Sequence, residues 1–152
     1  MALLEVNNLS IEFRQYVPGG LRQRTHRAIA GLNVSVDAGE VVAVVGASGS
    51  GKSLLAHAVL GILPENASVT GAIRYAGEEL TPARQAALRG KELALVPQSV
   101  SFLDPLMRVG AQVRTAVRMG NPAAEQRKAF AKYGLAPETE KRFPFQLSGG
   151  MA

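Results

Sequence analysis

The sequence predicts an α/β fold with an N-terminal antiparallel β part, a buried parallel core and a helical part. The main observation is the segment 41–45, which is apolar at every position and is typical of a central strand covered on both faces. It leads into a glycine-rich segment at residues 46–51 and a helix over residues 52–63, which Pro64 ends. The apolar face of this helix is formed by Leu54, Leu55, Ala58, Val59, Ile62 and Leu63.

The N-terminal residues alternate between apolar and polar, which is typical of half-buried strands. Two short strands are predicted in residues 3–14, on either side of the pair Asn7-Asn8. Further strands are predicted at residues 34–36, 72–75 and 93–96, and a short helix at residues 82–88. We interpret residues 1–97 as the core part and residues 98–152 as the helical part of one domain.

Two helices are predicted in the helical part. Three valines share one face of the first helix: Val109, Val113 and Val117. Three arginines lie off that face, where we interpret them as solvated: Arg108, Arg114 and Arg118. The second helix is predicted to begin after Asn121, a good N-cap residue, with Pro122 at its first position, and to end before Gly134.

The composition is that of a globular domain, with 47% hydrophobic and 19% charged residues among 152. There is no cysteine, which excludes disulfides and thiolate chemistry. The longest nearly apolar segment, 54–63, is shorter than the roughly 20 residues of a membrane-spanning helix. The first residues also lack the pattern of a signal peptide. We therefore expect a soluble, cytoplasmic chain.

The net charge of +5, from 17 Lys+Arg and 12 Asp+Glu, indicates an anionic partner. Part of the excess lies between Glu12 and Asp37, where there is no acidic residue. Four arginines fall there: Arg14, Arg22, Arg24 and Arg27. Because Pro18-Gly19-Gly20 interrupts regular structure, we interpret this stretch as a solvated loop.

Residues 46–53 match the phosphate-binding pattern G-x-x-x-x-G-K-[ST] at every fixed position. They are Gly46, Ala47, Ser48, Gly49, Ser50, Gly51, Lys52 and Ser53. Glycines let successive backbone N–H groups converge on an anion, and the following helix adds its positive N-terminal end. The pattern predicts that Lys52 reaches the β- and γ-phosphates of a nucleoside triphosphate and that Ser53 ligates Mg²⁺.

Two later segments narrow the class of nucleotide-binding protein. Gln98 follows the predicted strand at residues 93–96, and Leu147-Ser148-Gly149-Gly150-Met151 comes near the end of the sequence. With these motifs in this order, the sequence resembles the nucleotide-binding subunits of ABC transporters. The resemblance implies a P-loop NTPase core of the ABC type, and an ATPase that is coupled to transport.

Within that family the sequence is similar to the oligopeptide and nickel importer branch. The segments that carry this similarity are 51–54, 61–64, 104–107 and 143–151. The branch implies peptides, nickel or metal chelates as cargo and a peripheral position on the cytoplasmic side of the cell membrane. It also implies three partners: a second nucleotide-binding subunit (identical or different), transmembrane permease subunits and, indirectly, a substrate-binding protein.

The resemblance assigns roles to individual residues. The phosphate loop would hold ATP and Mg²⁺, with Lys52 among the catalytic groups. Gln98 would sense the γ-phosphate and, with Ser53, would bind Mg²⁺. The signature residues Ser148, Gly149 and Gly150 would contact the ATP held by a second nucleotide-binding subunit.

Two further features follow from the resemblance. In this family an aromatic residue upstream of the loop stacks on adenine, and Tyr16 and His26 are the candidates. The segment 101–107 resembles the region that receives the coupling helices of the membrane subunits. Its apolar residues fit equally well in the core of the helical part. An apolar patch indicates an interaction surface only where it is exposed.

The family pattern continues beyond the signature glycines with a second acidic Mg²⁺ motif, a catalytic glutamate and a switch histidine, which these residues lack. We therefore expect a C-terminally truncated core that is marginally stable and hydrolyses no ATP alone. Two alternatives stay open. One is a soluble ABC-type ATPase acting on nucleic acid or ribosomes, although nucleic acid is the less favoured partner because residues 99–146 leave no room for a long coiled coil. The other is a non-catalytic fragment that binds ATP.

Overall fold

The computed structural model describes residues 2–16, 23–97 and 102–151. The chain divides into two compact units, unit 1 (Met1–Leu95) and unit 2 (Val96–Ala152). Unit 1 combines a β-sheet with two helices, and unit 2 is helical. In the described ranges, every helix is too short or too polar to cross a membrane.

The sheet of unit 1 has four antiparallel strands in the order β2-β1-β3-β4. The strands are β1 (Leu4–Tyr16), β2 (Gln23–Val36), β3 (Ala67–Tyr75) and β4 (Glu78–Glu79). The prediction of two short strands in residues 3–14 is wrong, because one continuous strand forms. Its register shifts near Asn8, which has a φ of 50°. Asparagine tolerates this left-handed conformation, so the strand bends there instead of ending.

β1 and β2 continue beyond their predicted ends as a two-stranded ribbon, in which the last residues of β1 pair with the first of β2. Arg14, Arg24 and Arg27 therefore lie on strands, and the prediction of a loop is wrong for them. Their side chains are exposed, and Arg27 Nε forms an ion pair with Glu12 Oε1 at 2.7 Å. Arg22 lies outside the described residues.

The core of unit 1 lies between the sheet and helix α1 (Lys52–Leu60). Its members are Val6, Leu9, Ile11, Ile29, Leu55, Ala58, Val59, Ile73 and Leu80. Leu9 and Ile11 are fully buried, and burying one such side chain stabilises a fold by about 1.5–3 kcal/mol. This packing fixes the N-terminus of α1 against the sheet.

α1 ends three residues earlier than predicted, at Leu60. Gly61 has a φ of 64°, and its N–H donates to the carbonyl oxygen of Ala58 at 3.1 Å. A glycine in this left-handed conformation is a common helix terminator. Ile62 is consequently exposed, and its predicted place on the apolar helix face is wrong, whereas Leu63 still packs against the core.

Helix α2 (Pro82–Leu88) has the predicted bounds. Its N-cap is Thr81, whose hydroxyl accepts from the N–H of Arg84 at 3.3 Å. Halfway along the helix, Gln85 is buried and faces the end of α1.

Two predicted strands do not form. Residues 41–45 lie outside any strand, and Val41 and Val45 are 95% and 88% exposed. In the segment 93–96, Leu93 makes only an isolated bridge with Arg89. A strand needs a hydrogen-bonded neighbour, and the described residues supply none to either segment. The antiparallel part of the prediction is therefore observed, but the described ranges contain no parallel sheet.

Unit 2 contains helix α3 (Val109–Ala116), helix α4 (Pro122–Lys132) and two 3₁₀ helices, Pro137–Lys141 and Pro144–Gln146. α4 begins as predicted, because Asn121 Oδ1 accepts from the N–H of Ala124 at 3.1 Å. α3 ends one residue before Val117, which is its C-cap.

The prediction of a solvated arginine face on α3 is wrong for Arg114, whereas Arg108 and Arg118 are exposed. Arg108 donates to a backbone carbonyl at 2.7 Å. Arg114 is half-buried and donates to Gln126 Oε1 at 3.1 Å and to Glu140 Oε2 at 3.2 Å. Arg114 thus links α3 to α4 and to the 3₁₀ helix Pro137–Lys141 within unit 2.

Candidate functional site

The predicted phosphate loop lies on the surface, directly before α1. Gly51 is the N-cap of α1 with a φ of 90°, and no side chain in the described structure caps this end. Because the first N–H groups of a helix have no partner within it, the end presents donors and a positive partial charge. Lys52 and Ser53 form the start of the helix, where no acidic residue opposes an anion.

The ammonium group of Lys52 is bound by the loop itself. Lys52 Nζ donates to the carbonyl oxygens of Gly46 at 2.8 Å and Ala47 at 2.6 Å, and it lies 3.4 Å from Ser50 Oγ. The N–H of Ser50 donates to the Ala47 carbonyl at 3.2 Å and closes the turn. The loop is therefore wrapped around a positive charge.

Both fixed glycines of the motif have close neighbours, but only Gly51 combines them with a positive φ and an adjacent backbone oxygen, and the neighbour of Gly46 is a serine hydroxyl that can rotate. A Cβ on Gly46 would lie 2.7 Å from Ser50 Oγ. A Cβ on Gly51 would lie 3.0 Å from Ile29 Cγ1 and 3.2 Å from the Ala28 carbonyl oxygen. A side chain at Gly51 would therefore press against β2. The loop carbonyls keep the Lys52 ammonium beside the start of α1, where its positive charge can attract a phosphate chain.

A cleft of about 350 Å³ lies between β2 and the loop. Its walls include Ala30, Leu32, Val44, Gly46, Ser50 and Lys52. The cleft is apolar towards the sheet and polar at the lysine, and its volume is in the range of ordinary small-molecule sites. It therefore offers both kinds of surface that a nucleotide needs.

The two candidate stacking residues lie on opposite faces of the ribbon. Phe13 packs against the core under α1 and is the cross-strand partner of His26. Because cross-strand partners point to the same side, His26 lies on the face that carries α1. Tyr16 is three residues beyond Phe13 and lies on the other face, where its hydroxyl accepts from Gln23 Nε2 at 3.1 Å.

The signature residues Ser148, Gly149 and Gly150 are exposed in one turn of unit 2. The N–H of Met151 donates to the Ser148 carbonyl at 2.9 Å. A Cβ on either glycine would meet no atom within 4 Å in the described structure, and neither glycine has a positive φ. The fold of the described residues does not require glycine here, in contrast to Gly51.

The segment 101–107 exposes apolar side chains. Phe102 and Leu106 are 68% and 87% exposed, and Met107 is exposed as well. The structure therefore contradicts the interpretation of these three residues as core. Ser101 lies outside the described residues.

The predicted site residues thus fall into three groups. Residues 46–53 come together around Lys52 in unit 1. Residues 148–150 share a turn in unit 2. Gln98 lies outside the described residues, and its role stays a prediction.

A glycine cradle around a lysine, at the open N-terminus of a helix, defines a phosphate-binding loop of the P-loop class. Comparison with known families places the chain within that class. The sequence model of the ABC transporter family matches residues 29–152, and the chain therefore belongs to that family. The predicted resemblance and fold class are confirmed, and members of this family are ATPases.

Relatives cover nearly the whole chain. The oligopeptide transport ATP-binding protein OppD of Mycobacterium tuberculosis is 40% identical in an alignment of 161 positions, which covers 97% of this chain and 25% of the relative. OppD of Bacillus subtilis is 36% identical, covering 98% of this chain and 44% of the relative. The oligopeptide transport ATP-binding protein AmiE of Streptococcus pneumoniae is 33% identical with the same coverage. The chain thus spans between a quarter and about half of the length of the curated relatives it matches.

Sequence reasoning missed two glutamines that hold site elements in place. Gln85 on α2 binds the end of α1, and Gln112 on α3 binds the loop that contains Leu106. Neither belongs to a motif. The one available signal is an uncharged polar residue within a short helix, which is too common to be specific.

Proposed function

We propose that this chain is the nucleotide-binding part of an ABC importer subunit that uses ATP to drive uptake of peptides. The observation that carries the proposal is the cradle of loop carbonyls and glycines around Lys52 at the open start of α1. Family membership supports ATP as the nucleotide. The names of the relatives support oligopeptides as cargo. Nickel or a metal chelate is the second cargo that the branch resemblance implies.

In this proposal the phosphate loop binds ATP through its backbone N–H groups and the Lys52 ammonium. Lys52 exchanges the carbonyls of Gly46 and Ala47 for phosphate oxygens, which are stronger acceptors because they are charged. The exposed hydroxyl of Ser53 is a ligand for Mg²⁺, an ion that favours oxygen donors and partly neutralises the phosphates. Gln98 is the second residue assigned to the metal and the γ-phosphate.

The signature turn acts on a second subunit in this proposal. Ser148, Gly149 and Gly150 bind the γ-phosphate of ATP held by the partner nucleotide-binding subunit. The support is that two glycines are exposed at positions where the described fold does not require them. A close approach by a ligand is one physical reason for a missing side chain.

The exposed apolar segment around Leu106 is proposed to receive the permease. Leu106, Phe102 and Met107 offer apolar surface that the described residues leave uncovered. Such contacts would hold the chain at the cytoplasmic side of the membrane, where a substrate-binding protein delivers cargo to the permease from the other side. A nucleic-acid ATPase is not favoured, because the relatives are named for oligopeptide transport.

His26 is the proposed adenine-stacking residue. It shares a sheet face with α1, whereas Tyr16 lies on the opposite face. It is also two residues from Ala28, whose carbonyl borders Gly51 of the loop. An imidazole ring on this face of β2 would give a flat surface for a base, as aromatic side chains do in other nucleotide sites.

The proposal is tested with the full-length subunit and Mg·ATP in calorimetry. Lys52→Ala removes up to three hydrogen bonds to the phosphates and is expected to weaken binding by about 100-fold or more. Lys91→Ala removes the same side chain from an exposed site elsewhere in unit 1 and serves as the control. Equal affinity of the two variants would overturn the assignment of the loop.

A second measurement concerns turnover by the 152 residues alone. They lack the acidic and histidine motifs that activate water in this family, and hydrolysis needs a positioned nucleophile. We expect this chain to bind ATP without releasing phosphate, and full-length protein to hydrolyse it. Phosphate release by the chain itself, lost in Lys52→Ala, would contradict the expectation.

A further inference from the structure

The loop before α3, at residues 104–107, forms a tight turn that is closed by hydrogen bonds. The N–H of Met107 donates to the Asp104 carbonyl oxygen at 3.2 Å, and the N–H of Leu106 donates to Asp104 Oδ1 at 2.9 Å. Pro105 lies between them, and its ring fixes φ at a value that suits such a turn. The turn thus presents Leu106, the most exposed of its apolar side chains, from a well-defined backbone.

One side chain on α3 binds both ends of this turn. Gln112 Oε1 accepts from the N–H of Asp104 at 2.9 Å. Gln112 Nε2 donates to the carbonyl oxygens of Asp104 at 2.9 Å and Met107 at 2.8 Å. Both donors and the acceptor of the carboxamide are therefore used on the turn.

The arrangement gives an exposed apolar side chain a fixed position. Folding alone gains nothing from Leu106 at 87% exposure, because the side chain buries little surface. An ordered loop does favour binding of a partner, because it loses less conformational entropy when the partner covers it. Gln112 thus fixes the backbone of the turn, and Leu106 offers an apolar side chain that a partner could cover.

We propose that Gln112 is a positioning residue for partner docking: it holds residues 104–107 in the shape that presents Leu106 to an apolar segment of the membrane-embedded subunit. This inference rests on the proposed function, which assigns that partner. Gln112 itself does not touch the partner in this proposal.

The test uses the full-length subunit with its co-expressed membrane subunits in detergent, and three measurements. These are affinity for the membrane subunits, affinity for Mg·ATP, and amide hydrogen exchange in a peptide covering residues 102–108. Gln112→Leu removes all three bonds of the side chain. Gln112→Glu keeps the acceptor for Asp104 but places a carboxylate against two carbonyl oxygens. Gln23→Glu adds the same charge to an exposed glutamine on β2 and is the control.

Both Gln112 variants are expected to bind the membrane subunits on the order of tenfold more weakly. Their exchange should become faster in residues 102–108 only, and their ATP affinity should match that of Gln23→Glu. A general loss of stability would lower ATP affinity too, and that result would overturn the positioning role.

Leu106→Asp separates this inference from the proposed function. If Leu106→Asp weakens association and Gln112→Leu does not, the docking segment is right and the role of Gln112 is wrong. If Leu106→Asp leaves association unchanged, the assignment of the docking segment itself fails, and the role of Gln112 fails with it.

Discussion

The carboxamide of Gln85 donates to the carbonyl oxygen of Ala58 at 2.8 Å. The same nitrogen lies 3.2 Å from the carbonyl oxygen of Val59. The last carbonyls of a helix have no partner within it, and Gln85 supplies one from α2 inside a buried site. Because α1 carries Lys52 at its other end, this bond helps to fix the helix on which the phosphate loop depends.

Replacing Gln85 should therefore destabilise unit 1. Gln85→Leu keeps the approximate volume but removes the side-chain donor from the carbonyl oxygen of Val59 and one of the two donors to that of Ala58, which keeps the N–H of Gly61. Losing these buried bonds costs about 1–3 kcal/mol. The measurement is the free energy of unfolding in urea. Gln23→Leu, at an exposed glutamine, is expected to change it by less than about 0.5 kcal/mol. Equal unfolding midpoints for both variants would show that the Gln85 bond contributes nothing.

The contact between Gln85 and Gly61 makes a second prediction. Gly61 has a φ of 64°, and a Cβ there would lie 2.8 Å from Gln85 Cδ. Gly39 has a φ of 79°, with no atom within 4 Å of an added Cβ in the described structure. Both alanine variants incur the left-handed strain of about 1–2 kcal/mol, but only Gly61→Ala adds a clash of about 1–3 kcal/mol.

Thermal unfolding of the two variants isolates this clash. The extra destabilisation of Gly61→Ala over Gly39→Ala should become smaller when Gln85 is also replaced by alanine, although the Cβ of residue 85 would stay 3.2 Å from the added atom. An undiminished difference in the double variant would mean that the Gln85 carboxamide does not cause it.

The phosphate loop allows a similar test with a functional readout. Gly46→Ala brings a Cβ to 2.7 Å from Ser50 Oγ and should distort the loop, lowering affinity for Mg·ATP by about tenfold. Ser50→Ala removes the clashing hydroxyl, although Ser50 Cβ would stay 3.6 Å from the added atom, in ordinary contact. The double variant Gly46→Ala/Ser50→Ala should therefore bind ATP more tightly than Gly46→Ala. If the second substitution restores no affinity, the narrowness of the loop is not caused by Ser50.

The register of the ribbon predicts which ring contacts the base. His26→Ala should weaken ATP binding by about 5- to 100-fold, because stacking on an aromatic side chain contributes about 1–3 kcal/mol per base. It should leave binding of inorganic tripolyphosphate unchanged. Tyr16→Ala, on the opposite face, is the matched control and should bind both ligands like the unmodified protein. The opposite ranking of the two variants would place the base on the other side of the sheet.

The elements that could be predicted are those whose start and end depend on residues within or next to the element itself. The bounds of α2 and the start of α4 follow from Thr81, Pro82, Asn121 and Pro122, which act on their own backbone neighbours. The phosphate loop was recognisable because its glycines and Lys52 stand at fixed spacings. The strand predicted at residues 41–45 failed, because strand formation depends on a neighbour that a local pattern does not contain.

The bonds that position the site could not be predicted for a related reason. Gln85 and Ala58 are 27 residues apart, and nothing in either residue type marks them as partners. The proposal of His26 over Tyr16 likewise rests on the pairing of Phe13 with His26, which only the strand register provides.

Two glycines of unit 2 can be compared, because the packing of the described residues requires glycine at one position and not at the other. Gly110 is buried in α3, and a Cβ there would lie 2.6 Å from Glu140 Cβ and 2.9 Å from the Glu140 carbonyl oxygen. Gly149 is exposed, lacks a positive φ, and has no atom of the described structure within 4 Å of an added Cβ. Gly110→Ala should therefore destabilise unit 2 by about 1–3 kcal/mol, and Gly149→Ala should leave unfolding unchanged.

We expect the more stable of the two variants, Gly149→Ala, to be the less active one. Full-length Gly149→Ala should lose most ATP hydrolysis at a temperature where it is fully folded, because under the proposed function the added methyl group would block the approach of the nucleotide held by the partner subunit. Its affinity for Mg·ATP as an isolated subunit should be unchanged, since its own phosphate loop is intact. Gly110→Ala should keep its activity per folded molecule. Full hydrolysis by Gly149→Ala would mean that no ligand approaches this turn, and the signature residues would then have no role in binding ATP across the dimer.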